Sequence, residues 1–321
     1  MRLEIWADVV CPWAYIGKRR VERTLAAHGG EPVEVLWRPY RIDPTAPEEA
    51  RPLDGLLRDP FVDEALRACA PHLTPAQNRV RVAEVAAAEG FPRWGAAWHV
   101  SSHDAHRLLH LAEREGGPAL QNAVAEEIMR AHFVDAEDIG TAEVLEGAAD
   151  RAGFADGGRL LRAGEGGGEV RELLLRGRAR GVRTSPTLLV GDLALEGACH
   201  PEEIAGFLER AGERSVWSPP AEVERLRLAE ALVEKDPLGA LTLLEPLLAE
   251  HGGDRGVRLV AARARLRSAQ VGRARKELEI LVAEAPDDAH ARRLLASALR
   301  RGGEPGAAET QLRLADAMAG S

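Results

Sequence analysis

Hydrophobic and polar positions alternate at the start of the chain, with Leu3, Ile5 and Ala7 on one side of a predicted strand and Glu4 and Trp6 on the other. After Val9-Val10 the period becomes helical. Ile16, Val21 and Leu25 carry it to about His28, where Gly29-Gly30 stops it. Val33–Arg38 reads as a second strand. From about Pro47 to Gly181 the pattern is helical. Pro75 opens a run through Val80, Val82 and Val85 to Gly90, and Ser102 precedes another through Leu108 and Leu109 to Gly116-Gly117. Pro118 opens a third through Phe133, and two more span Thr141–Ala152 and Gly168–Arg180. Strand pattern returns at Thr187–Val190, turns at Gly191-Asp192 and runs back through Leu193–Leu195 before a last helix, Pro201–Ala211. The predicted order is strand, helix, strand, a helical insertion, a hairpin and a helix, an α/β domain.

Beyond Ala221 the pattern repeats every 34 residues: Ala240, Ala274, Ala308; Leu244, Leu278, Leu312; Ala249, Ala283, Ala317; and Leu228, Ala262, Ala296. Small and apolar residues recur where two helices press together, and Pro237 and Pro286 fall at helix joints. This spacing resembles a tetratricopeptide array of three helix pairs. The last unit, with Leu295-Ala296, Leu299, Gly303, Ala308, Leu312 and Ala315, keeps the family's spacing best. Such pairs form a core only by stacking, so an all-α helical-repeat domain is expected over 221–321.

Composition sharpens the boundary. The six tryptophans, five phenylalanines and two tyrosines all lie at or before Trp217. From Ala221 onward 16 acidic side chains balance 16 basic ones, so the net charge of −9 belongs to the first 220 residues. Ser218-Pro219-Pro220 stiffens a linker over 215–220, giving domains 1–214, with the insertion at about 47–181, and 221–321. An acidic first domain argues against nucleic-acid and anionic-membrane partners. No run approaches the ~18 apolar residues of a membrane span. Met1–Trp6 reads straight into a strand without a signal peptide, so the cytoplasm is the expected location. Between Arg255 and Lys276 eight basic residues stand without an acidic one: either a solvated face balanced by Glu277, Glu279 and Glu284, or a docking surface for an acidic partner.

Cys11 stands where the first strand enters the first helix. Unpaired N–H groups and the positive end of the dipole stabilise a thiolate there, so a lowered pKa is expected. Pro12 suits the first helical position, where its missing N–H costs nothing. The other cysteines are weaker candidates. Cys69 falls in an apolar run with Ala65, Leu66 and Ala68, and Cys199 follows Gly197-Ala198 in a loop.

The segment Asp8-Val9-Val10-Cys11-Pro12-Trp13-Ala14-Tyr15-Ile16-Gly17-Lys18 resembles the DsbA-like family of thioredoxin folds. Within that family it is closest to the cytoplasmic FrnE-like branch, a neighbour of the 2-hydroxychromene-2-carboxylate isomerases and kappa-class glutathione transferases. Trp37-Arg38-Pro39-Tyr40, Asp104-Ala105-His106-Arg107-Leu108 and Gly181-Val182-Arg183-Thr184-Ser185-Pro186-Thr187 extend the likeness over about residues 1–212. The resemblance implies a thioredoxin-like domain with a helical insertion. It also implies catalytic roles for Cys11, Pro12, Trp13 and Pro186, the last being the family's cis-proline facing the cysteine. Ser185, Trp37, Arg38, His103 and Arg107 are then expected at the substrate. By their spacing alone Trp94 and Trp98, four apart, would stack on one helical face, either roofing an aromatic or acyl substrate or packing in the core. The chain departs from the family at Ala14, where FrnE-like enzymes carry the second cysteine of Cys-Pro-Trp-Cys. Without a resolving thiol, Cys11 forms a mixed disulfide that it cannot release alone.

His99, His103, His106 and His110 cluster at one helix start, yet family positions explain them better than a metal does, so no metal site is expected. No tightly bound cofactor is expected either; the ligand to look for is a low-molecular-weight thiol. Three functions follow: a monothiol oxidoreductase resolved by an external thiol, a thiol-dependent isomerase or transferase of a small organic substrate, or a non-catalytic adaptor binding protein partners through its repeats.

Overall fold

The computed structural model describes residues 1–56, 72–91, 93–214 and 219–319. Cys69 and most of the linker, residues 215–218, lie outside the described residues. The chain divides into two compact units, Met1–Gly177 with Val182–Trp217, and Arg178–Gly181 with Ser218–Ser321.

In the first unit a four-stranded sheet has the order β2-β1-β5-β6, where β1 is Arg2–Ala7, β2 Glu34–Pro39, β5 Thr187–Val190 and β6 Leu193–Glu196. β1 runs parallel to β2, with Ile5 opposite Trp37, and antiparallel to β5, with Ile5 opposite Leu188. The alternation in β1 sorts its two faces. Leu3, Ile5 and Ala7 enter the main core, while Trp6 joins Val182 and Leu189 on the other side. Trp6 presses so closely on the helix Gly167–Ala179 that a Cβ at Gly177 would lie 2.5 Å from its ring.

The helical run breaks at Gly116-Gly117-Pro118 as expected: His103–Phe133 is two helices meeting at a kink, where Gly117 leaves helical geometry at φ 74°. The insertion holds two departures from the pattern. Trp94 and Trp98 do not share a helix. Trp98 lies in a short strand, β4 (Trp98–His99), paired with β3 (Arg51–Pro52), a pairing too brief for alternation to reveal. A further short helix, Gly157–Arg162, has too few apolar positions to show a period.

The second unit is six consecutive helices: Ala221–Leu232, Pro237–Glu250, Arg255–Arg267, Val271–Glu284, Ala289–Arg301 and Pro305–Ala319. Asp236, Asp254 and Asp288 cap three of them, each accepting a backbone N–H three residues on. Ala240, Ala274 and Ala308 are fully buried, as are Leu244 and Leu278, while Leu228, Ala262 and Ala296 are at most 8% exposed. Ala249, Ala283 and Ala317, which share the period, are exposed; small size there reflects composition and not a helix interface. The basic stretch is ion-paired within its own unit: Arg258 with Glu277 at 2.6 Å, Arg263 with Glu230 at 2.9 Å and Arg255 with Asp288 at 2.5 Å.

Candidate functional site

The first helix, Pro12–Ala26, begins at Cys11, its N-cap residue, with Pro12 in the first turn. Cys11 is 5% exposed. Its Sγ donates to the Ser185 carbonyl at 3.4 Å, and the Ser185–Pro186 peptide is cis. Gly17 lets the helix come close to this loop: a Cβ there would sit 3.2 Å from Pro186 Cγ and 3.6 Å from Ala198 Cβ. Cys11, Ser185 and Pro186 therefore meet at one place, although 174 residues separate the first two. Pro12 and Trp13, the next residues of the helix, are both half-buried.

The expected low pKa is overturned. Burial pushes the Cys11 thiol up from 9.0 to about 11, the Ser185 side chain opposes it, and the buried Asp8 carboxylate adds to it. Cys11 rests as a thiol.

Three residues support the site; His106 was expected to pack or line the cleft, while Asp8 and Tyr40 were given no role from the sequence. Asp8, 1% exposed, donates its N–H to Ser185 Oγ at 2.9 Å and accepts the Cys11 N–H at its carbonyl at 3.0 Å. Its carboxylate accepts the Ile42 N–H at 2.8 Å and lies 3.4 Å from His106 Nε2. His106, 2% exposed, also bonds the Tyr40 carbonyl at 3.0 Å, and Tyr40 Oη donates to the Arg183 carbonyl at 2.7 Å. These bonds knit the turn 8–11, the loop 40–42 and the loop 183–186 around the thiol. Asp8, Tyr40 and His106 all stand inside the family-like segments, and an acid three residues before the cysteine was the available signal.

Most of the other residues expected at the substrate have protein partners of their own. Trp37 is 2% exposed, donates its Nε1 to Asn122 at 3.0 Å and exchanges backbone bonds with Gln121. Arg38 pairs with Glu113 and Glu4. Arg107 holds its own insertion together, bonding the carbonyls of Glu165 and Leu161 and the Asp104 carboxylate, each at 2.8 Å. Trp98 donates its Nε1 to the Ala136 carbonyl at 3.0 Å. Trp94 stacks 4.8 Å from Phe133 in a cluster with Tyr15 and Phe91, the packing alternative for this residue. His103 is half-buried, and burial pushes its pKa down. Cys199 donates to the Glu196 carbonyl at 3.3 Å, and burial raises its pKa too. Among the described residues no three His, Cys, Asp or Glu side chains converge as a metal site requires, and no helix is long and apolar enough to cross a membrane.

Residues 231–298 match a tetratricopeptide repeat, a stretch that ends before most of the last helix pair. A probable DsbA oxidoreductase from Streptomyces coelicolor is 30% identical over 68% of this chain and 94% of its own, with a TM-score of 0.58. The cytosolic disulfide reductase DsbM from Pseudomonas aeruginosa, solved with GSH, is 18% identical over 67% of this chain and 100% of its own, with a TM-score of 0.47. A 2-hydroxychromene-2-carboxylate isomerase is 15% identical over 66% of this chain and 94% of its own, with a TM-score of 0.46. No curated protein matches the chain. Residues 2–209, which carry the sheet, the insertion and both sides of the Cys11 site, match the DSBA-like thioredoxin domain. The chain thus belongs to the DSBA-like thioredoxin family and continues into tetratricopeptide-like repeats.

Proposed function

We propose that this chain is a thiol-dependent oxidoreductase that works through Cys11 alone. The observation that carries the reading is the pair of positions at the helix start. Cys11 faces the Ser185 carbonyl, and Ala14, fully buried one turn on, stands where a second thiol would have to be. Cys11 loses its proton, and its sulfur attacks one sulfur of a disulfide. The new S–S bond joins Cys11 to half of the substrate, and the other half leaves as a thiolate and takes up a proton. An external thiol then attacks the mixed disulfide, restoring Cys11 and forming a disulfide with the departing half. Pro186 and Pro12 wall the sulfur, and Ser185 holds it. A reducing compartment such as the cytoplasm would supply the external thiol. The repeats are read as the surface that recruits a protein partner.

The test is mass spectrometry of the reduced full chain after exposure to a small disulfide. An adduct on Cys11 that excess thiol removes supports the reading, and Cys11→Ser should lose it. Ala14→Cys should close a disulfide with Cys11 and raise dithiol turnover well above wild type. Equal turnover in wild type and Ala14→Cys would show that another thiol resolves Cys11, and the single-cysteine reading would fall.

A further inference from the structure

The mouth of the Cys11 site carries a charge that its own helix does not neutralise. Arg81 lies on the helix Pro75–Ala88, is exposed, and has no acidic partner among the described residues. Glu84, three residues on and also exposed, is the ordinary partner at that spacing, yet no ion pair joins the two. The guanidinium instead lies over the ring of Trp13, 5.6 Å from its centroid, and Trp13 is two residues from the thiol. Its helix is fixed in place: Glu89, just past its end, takes Arg20 at 2.7 Å and Arg23 at 2.5 Å, both from the first helix.

The surroundings make this charge conspicuous. The first 220 residues carry the whole net charge of −9, and the charge that pushes the thiol's pKa up, that of Asp8, is negative. An anion approaching such a domain is repelled at long range, so a cation at the mouth decides whether it is accepted at short range. Arg183, two residues before Ser185, is a second exposed cation without an acidic partner among the described residues.

We propose that Arg81, held on the Trp13 ring, recognises charge at the Cys11 site, and that the small disulfides this site accepts carry a carboxylate close to the sulfur. This rests on the thiol-exchange reading above and names its substrate class. The carboxylate meets the guanidinium while Cys11 attacks the neighbouring sulfur, and the released half leaves as a thiol still bearing its own carboxylate.

The experiment compares three small disulfides with reduced full-length protein: dithiodipropionate, which is anionic, hydroxyethyl disulfide, which is neutral, and cystamine, which is cationic. Adduct formation on Cys11 is followed by mass spectrometry in wild type, Arg81→Ala and Arg81→Glu. Because the leaving thiols differ in acidity, the readout is the anionic-to-neutral rate ratio within each protein. Arg81→Ala should lower that ratio about three- to tenfold, the range expected for losing one partly screened ion pair. Arg81→Glu should lower it further and raise the cationic-to-neutral ratio, and added salt should shrink every difference. Identical ratios in the three proteins overturn the proposal. If wild type forms no adduct with any of the three, the thiol-exchange reading fails first and takes this inference with it.

Discussion

Raising the pH should awaken Cys11. Burial takes its thiol from 9.0 to about 11, four units above neutrality. At pH 7 only about one molecule in 10⁴ then holds the thiolate, against about one in a hundred for an ordinary thiol. The alkylation rate should climb about tenfold per pH unit through pH 10 and reach half its maximum near 11, at the top of the range in which the protein can be handled. Iodoacetamide labelling read at the peptide level separates Cys11 from Cys69 and Cys199. Two variants test the named causes: Asp8→Asn removes a like charge and should lower the midpoint, and Ser185→Ala removes a supporting bond and should raise it. Stability carries the same signature. Between pH 9 and 11 the folded chain keeps a proton that the unfolded chain has released, so this contribution is whole below pH 9 and is lost as pH rises through 11. Two units correspond to about 3 kcal/mol in full, of which about 2 kcal/mol is lost between pH 8 and pH 10.5, read as the difference in urea stability between wild type and Cys11→Ala at those two pH values. A labelling midpoint at or below 9 refutes the argument.

His132 gives the opposite edge: burial pushes its imidazole down to about 4, so stability should fall by about 3 kcal/mol as pH drops from 6.5 through 4, and His132→Phe should flatten that fall in acid unfolding. Gly17→Val should cost about 1–3 kcal/mol by pushing on Pro186, while Gly17→Ala, gaining helix propensity, should cost less; thermal melts with Cys11 labelling separate the two. In the repeats Leu278→Ala should lose about 2–5 kcal/mol and Leu312→Ala clearly less, because the first is fully buried and the second half-buried in the terminal helix; equal losses in urea would contradict the stacking.

Periodic elements were legible because period reports burial directly. β1, β5 and the six repeat helices lie where alternation and the 34-residue spacing put them. β3 and β4 were not, since two-residue strands have no period, and Trp94 and Trp98 imitated a helical face across a loop and a strand. At the site, Cys11 and Pro186 could be read from local motifs. Asp8, Tyr40 and His106 could not be joined by pattern, because their bonds to Ser185, Ile42 and one another span 34 to 177 residues.

The reversal at Cys11 follows from comparing two effects at one helix end. The open N-terminus stabilises a nearby anion by ~0.3–1 kcal/mol, up to ~2 when partly buried, which is about one pKa unit or a little more. Removing a thiolate from water costs more, up to ~3–5 units when burial is complete. Position along the helix is written in the sequence; depth is set by the loop 183–186, the turn around Asp8 and the close approach at Gly17, all of which arrive from elsewhere in the chain. Cys11 is also the N-cap residue, and the backbone N–H groups of Ala14 and Trp13 in the first turn hold its pKa down, yet burial outweighs them. Depth therefore wins over dipole. A substrate that opens the site to water, or brings its own positive charge to the sulfur, would shift the balance back towards the thiolate. The chemistry is then switched by what binds and not by the resting cysteine.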